Sequence, residues 1–242
     1  MKKWIVLSIG LVMCLSAGAA QITLVADTWC PYNCEPNSEL PGFQVEAATM
    51  ILGAAGHEVT YLQIDDWDQA LVDTREGKYS GVVGASQSDA HDFIYPAESM
   101  GVYRNLIYVR KGDAWKFDGG ASLEGKKTVV LSGYTYGDEV DGWLTANALY
   151  VDTLEQAVEA LLSGKADVLF ENEYVMSLFA LQHNIQESLD VAGNLESDDV
   201  YVAFSPAFPE SKTYADLLTQ GIKTMKADGS WKALLGKYGL EE

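Results

Sequence analysis

One segment of the chain returns in kind. Asp68-Gln-Ala-Leu-Val-Asp-Thr-Arg-Glu-Gly-Lys78 is answered by Glu155-Gln-Ala-Val-Glu-Ala-Leu-Leu-Ser-Gly-Lys165, and each copy runs directly into a short apolar strand. A helix stopped by glycine and followed by a buried strand is one turn of an α/β wrap. Its recurrence implies two similar α/β halves. Two such halves facing one another make a cleft, and clefts of that kind hold small ligands.

The start of the chain indicates where the halves work. Lys2 and Lys3 precede an apolar run from Trp4 to Leu15, and Ser16-Ala-Gly-Ala-Ala20 supplies an Ala-x-Ala cleavage site. The pattern is that of an export signal, expected over residues 1–20 and removed from the mature protein. The run falls short of the roughly 18 apolar residues expected of a membrane span. Cys14 follows Met13, whereas a lipoprotein signal expects a small residue there, so lipidation is not expected. A periplasmic location follows.

Composition then excludes several partners. The 242-residue chain carries a formal net charge of −19, and loss of Lys2 and Lys3 makes the mature chain more acidic still. Arg75, Arg104 and Arg110 are the three arginines. Phosphate backbones require a positive footprint, so neither nucleic acid nor an anionic membrane surface is an expected partner.

Cleavage leaves Cys30 and Cys34, within Trp29-Cys-Pro-Tyr-Asn-Cys34. In an oxidising compartment an even pair this close is most simply a disulfide, worth about 2 kcal/mol by loop closure and effective mainly in stiffening the loop. The Cys-Pro-Tyr-x-Cys string is also similar to a glutaredoxin motif. Here the cysteines are one residue further apart than in that motif and no thioredoxin-like pattern follows.

Periodicity predicts strands at 22–26, 59–64 and 80–85, alternating with helices around Val45, Ala48 and Leu52 and over 67–76. The second half predicts strands at 128–131, 149–151 and 167–171, with helices over 138–147 and 154–162. The last of these opens on a Thr153-x-x-Gln156 capping box. Tyr214, Leu217, Leu218, Ile222 and Met225 form a helical stripe broken at Asp228-Gly229, before a short helix over 231–237. These two helices have no strand of their own and must pack on a half already made.

Several of these pieces resemble the extracellular solute-binding proteins of family 3. Lys226-Ala-Asp-Gly-Ser-Trp-Lys-Ala-Leu-Leu-Gly-Lys-Tyr238 is similar to the family's C-terminal signature. Trp29-Cys-Pro-Tyr32, Pro41-Gly-Phe-Gln-Val-Glu46, Trp67, Leu123-Glu-Gly-Lys126 and Ser132-Gly-Tyr-Thr135 follow in the family's order. The resemblance implies a type II periplasmic binding-protein fold with two α/β lobes joined by two crossing hinge strands. Lobe one would comprise 21–108 plus 204–242 and lobe two 109–203, with 107–109 and 201–203 as the hinge strands. The orphan C-terminal helices would return to lobe one.

In sheets of this kind ligands sit beyond the carboxyl ends of the strands. Trp29 follows the first strand and matches the family's stacking aromatic; its alternative is a surface plug beside the disulfide. After the third strand come Ser86, Ser88 and His91. The resemblance implies an arginine at the His91 position, forked onto a ligand carboxylate, and a neutral imidazole cannot supply that contact. His91 also reads as an exposed loop residue. Tyr134 and Thr135 lie in a turn that would either cap the next helix or cradle an anion. The family's amino-group aspartate falls at Asn172, so Glu171, Asn172 and Glu173 form one candidate acidic edge, or alternatively a solvated helix start.

Ser86, Ser88, Asp89, His91 and Asp92 contain the residue types of a hydrolase triad, but crowded into one loop they lack its separate supports. No metal site, phosphate loop or dinucleotide fingerprint is present in the sequence, and no cofactor is expected. The expected function is a non-enzymatic, monomeric solute-binding protein that hands a small polar solute to an inner-membrane ABC transporter permease. Two alternatives are a cyclohexadienyl dehydratase-like enzyme, with Glu171 or Glu173 as proton donor, and a sensor that docks on a membrane receptor.

Overall fold

The computed structural model describes residues 19–240; the expected export signal and Cys14 lie almost entirely outside them, and cleavage at residue 20 is not addressed by the fold. Nine strands form two sheets. The first takes β1 (Gln21–Ala26), β2 (Glu58–Gln63), β3 (Gly81–Ala85) and β9 (Tyr201–Phe204) in the order β2-β1-β3-β9. The second takes β4 (Val102–Arg110), β5 (Thr128–Leu131), β6 (Leu149–Val151), β7 (Val168–Asn172) and β8 (Leu189–Asp199) in the order β6-β5-β7-β4-β8. β1 pairs in parallel with β2 and β3, and β5 with β6 and β7. β9, β4 and β8 join antiparallel.

The repeated segments are α2 (Trp67–Arg75) and α4 (Leu154–Leu162). Asp66 caps α2 by accepting from Gln69 N at 3.0 Å. Thr153 Oγ1 accepts from Gln156 N at 3.3 Å, while Gln156 Oε1 reaches back to Asp152 N at 3.1 Å, one residue before the expected reciprocal partner. Gly77 and Gly164 end the two turns at φ 84° and 78°, where a side chain would be strained.

Each sheet is covered on both faces, which gives separate cores. Ile22, Leu24 and Val83 pack with α1 (Phe43–Ala54), α6 (Ser211–Asp228) and α7 (Ser230–Lys237). Val25, Val82 and Ala203 face Ala70 and Leu71 of α2. The second sheet buries Ile107, Val130 and Phe170 against Val140 and Leu144 of α3 (Asp138–Asn147), and Val129 and Leu169 against α4. The C-terminal helices therefore complete the first core: Trp231, Leu234 and Leu235 are buried there, each worth about 1.5–3 kcal/mol. Tyr238 locks them in place, accepting from Gly42 N at 3.0 Å and donating to Glu46 at 2.6 Å.

α5 (Glu173–His183) begins at the acidic edge, where a solvated helix start was the alternative reading, and the eleven-residue β8, additional to the sequence expectation, forms the far edge of the second sheet. The 107–109 segment, expected as a hinge, lies inside β4, where Ile107 pairs with Phe170 and Gly193. Residues 201–203 lie inside β9. The segments that pass between the sheets meet slightly earlier, where Met100 N donates to Val200 O at 2.9 Å and Val200 N to Gly101 O at 3.0 Å. A central buried strand and a buried hinge strand are both short apolar runs, so sequence does not separate them.

Candidate functional site

β1, β3, β5 and β7 end beside one another, two in each sheet. The segments that leave them carry Asp27 to Trp29, Ser86 to Asp89, Ser132 to Thr135, and Glu171 with Asn172.

The loop after β1 is rigid for identifiable reasons. Cys30 and Cys34 form a disulfide with Cα atoms 4.7 Å apart, and Trp29 and Asn33 exchange backbone hydrogen bonds at 2.8 and 3.1 Å. Asn33 Nδ2 donates to Asp27 O at 2.6 Å. Trp29 stacks on Tyr32 with ring centroids 3.9 Å apart and stands 5.8 Å from Tyr103 of β4. Its Nε1–H is buried without a protein partner. An indole normally finds an acceptor when buried, so this donor is open to one from outside the protein.

After β3, Ser86 is held by Asp89, whose carboxylate accepts from Ser86 N at 2.7 Å and Ser86 Oγ at 2.9 Å. Ser88 Oγ lies 2.6 Å from Ser86 Oγ. His91 is exposed beside Asp92, which takes a bidentate grip from Arg75 at 2.7 and 3.0 Å. Sequence reasoning put Ser86 and Ser88 together and the structure keeps them so; His91 stands at the outer end of the same turn.

Tyr134 and Thr135 are exposed. Thr135 does not cap α3, whose N-cap is Gly137. Asp141 accepts from Tyr136 N at 2.8 Å and Gly137 N at 3.1 Å, so its carboxylate fills the two amides that follow Thr135. Tyr103 Oη reaches Thr135 O at 3.2 Å and accepts from Asn105 Nδ2 at 2.7 Å, which ties β4 to this turn.

The three residues at the end of β7 separate into three roles. Glu173 pairs with Arg104, Nε to Oε2 at 2.7 Å. Asn172 is a helix cap, its Oδ1 accepting from Tyr174 N at 2.9 Å and Val175 N at 3.2 Å. Glu171 is 2% exposed; Oε1 accepts from Asn172 N at 2.7 Å and Oε2 has no partner. Burial lifts its carboxyl from 4.5 to about 7. Its charge acts on the phenols of Tyr103, Tyr134 and Tyr136, all raised first by desolvation, Tyr134 to about 12. Asp27 acts on Tyr134 and Asp89 on Tyr103, and Asp27 is itself raised by burial.

Two groups absent from the sequence prediction thus belong to the site. Asp27 was signalled by its place directly after β1. Tyr103 carried no local signal, because only the pairing of β4 beside β7 brings it there. A separate cavity of about 430 Å³ lies on another face, between α5, β8 and Leu240, and contains only Glu173 of the predicted residues.

Two α/β sheets, each covered by helices on both faces and joined near Gly101 and Val200, make a type II periplasmic binding-protein fold. The chain belongs to the bacterial extracellular solute-binding proteins, family 3, whose model matches residues 22–241. It is 25% identical over 224 residues to a probable histidine-binding protein of Campylobacter jejuni, covering 89% of this chain and 83% of that protein. Among solved structures it is similar to a probable amino-acid ABC transporter extracellular-binding protein of Bacillus subtilis, with a TM-score of 0.71, 18% identity, and 91% and 98% of the two chains covered. It is also similar to an ancestral amino-acid-binding protein described as a precursor of cyclohexadienyl dehydratase, with a TM-score of 0.64, 17% identity, and 90% and 95% covered.

Proposed function

We propose that the mature chain is a periplasmic binding protein that closes its two lobes on a small polar solute and delivers it to an ABC-type permease. In this reading the lobes divide at the Met100–Val200 and Gly101–Val200 hydrogen bonds, the moving joint, so that β4 to β8 belong to lobe two and β9 with the C-terminal helices to lobe one. Two of the buried polar atoms that lack a partner support it best, Trp29 Nε1 on one lobe and Glu171 Oε2 on the other. Buried polar groups without partners are costly, and a solute with both an acceptor and a donor would satisfy them together. Ser86, Ser88, Tyr134 and Thr135 line the approach; Asn172 and Glu173 support it by starting α5 and anchoring Arg104, and His91 sits at its rim. The protein acts as a monomer, without cofactor or catalysis.

The test is a thermal-shift screen of the mature protein against amino acids, amines, oligopeptides and cyclic acids, because a ligand specific to the folded state raises the melting temperature. A solute that does so in the wild type, and no longer in Trp29→Ala, supports the reading. Stabilisation unaffected by Trp29→Ala would place binding elsewhere.

A dehydratase reading has one observation in its favour, since a buried carboxyl lifted to about 7 is suited to act as a general acid. Glu171 rather than Glu173 would be the donor, Glu173 being held by Arg104. Release of product from a cyclic dicarboxylate, lost in Glu171→Gln, would establish that activity.

A further inference from the structure

The cleft has carboxylates to offer and no cation. All three guanidinium groups are engaged: Arg75 with Asp92, Arg104 with Glu173, and Arg110 with Asp167 at 3.1 Å and with the Leu161 carbonyl at 2.8 Å. The lysine ion pairs lie on helices and edges away from the four strand ends, as with Lys237 to Glu46 and Lys111 to Asp190. Against this stand Asp27 and Asp89 after β1 and β3, and Glu171 at the end of β7. Among the described residues none of these three is in an ion pair.

Glu171 adds an independent pointer to a ligand. It is 2% exposed, its Oε2 has no hydrogen bond, and the neighbouring polar groups are tyrosines rather than cations. A buried carboxylate without a counter-charge is stable as an anion only when a cation arrives. Trp29 and Tyr103 have ring centroids 5.8 Å apart, and Tyr103 reaches the Thr135 carbonyl beside Tyr134, so aromatic rings that attract a desolvated cation lie near Glu171. A ligand carboxylate in the same space would meet two or three like charges and no guanidinium fork.

Building on the solute-binding reading above, we propose that the cleft takes an organic cation that carries no carboxylate, with its ammonium or guanidinium set against Glu171 and the aspartates and its apolar body against Trp29, Tyr103 and Tyr134.

Matched pairs isolate the carboxylate as the only variable. Isothermal titration of the mature protein at about pH 8, where both carboxylates and amines are largely charged, would compare agmatine with arginine, histamine with histidine, and cadaverine with lysine. At least one amine is expected to bind about tenfold or more tightly than its parent amino acid. Glu171→Gln, with its fold checked by circular dichroism, should weaken that amine by a similar factor. An amino acid that binds as tightly as its amine would overturn the proposal while leaving a solute-binding protein intact. Absence of heat with every amine would overturn it as well; absence with every solute class would also remove the function on which it rests.

Discussion

The phenol of Tyr32, on the disulfide loop of the first lobe, stands 3.3 Å from Asn172 Oδ1 at the head of α5 in the second, and 2.7 Å from Val102 O in β4. One hydroxyl proton thus serves both the cap of a helix and the first residue of the strand that enters the second sheet. Tyr174 extends the contact, stacking on Tyr32 with centroids 5.6 Å apart. Tyr32 and Asn172 are both buried. The junction of the lobes is therefore a polar network set within stacked rings.

Tyr32→Phe removes that proton and keeps the ring. The expected cost is about 1 kcal/mol, because the Val102 carbonyl loses its phenol donor while Asn172 Oδ1 keeps the amides of Tyr174 and Val175. Urea unfolding measures it, and a loss near zero would show that the hydroxyl is dispensable.

Gly84 sits at φ 84°, and a Cβ there would lie 2.9 Å from Asn33 Oδ1 and 3.4 Å from the Trp29 ring. Gly84→Ala should destabilise the protein by about 1 kcal/mol or more through the strained backbone alone. It should also shift the Trp29 indole, read as a change in tryptophan emission that is absent when Trp29→Phe is the background.

Burial lifts Glu171 from 4.5 to about 7, and the sign of its effect on stability follows. Between those values the folded protein holds a proton that the unfolded chain has released, so stability falls as pH rises through the window. The full penalty, on the order of 3 kcal/mol, is present above the folded value. Glu171→Gln should flatten this part of the profile and make the ligand-free protein more stable than wild type at alkaline pH. Denaturant midpoints across the window decide it; parallel profiles for the two proteins would mean that Glu171 ionises normally.

Much of this was legible in the sequence because it rests on local rules. Thr153 caps the second of the repeated helices, Gly77 and Gly164 end both, and the short apolar runs that follow are β3 and β7. β8 escaped because its outer half, through Asp198 and Asp199, is exposed and acidic, with little strand-like alternation. The start of α5 was legible as the alternative to an acidic edge, but its extent was not, because apolar residues lie all around it, and its Asn172 cap was read through the family's aspartate. Asn172 and Glu173 were placed correctly at a strand end, but their hydrogen-bond partners, Tyr32 and Arg104, come from distant segments. Tyr103 became visible only through the pairing of β4 beside β7 and its approach to Thr135.

The central claim is that the two lobes close on a solute held between their strand ends. Small-angle X-ray scattering of the mature protein, with and without a solute whose binding has been verified by titration, tests it most directly. A hinge motion about Gly101 and Val200 predicts a smaller radius of gyration at saturation, lost in Trp29→Ala at the same solute concentration. An unchanged radius of gyration with the wild type fully occupied would contradict it.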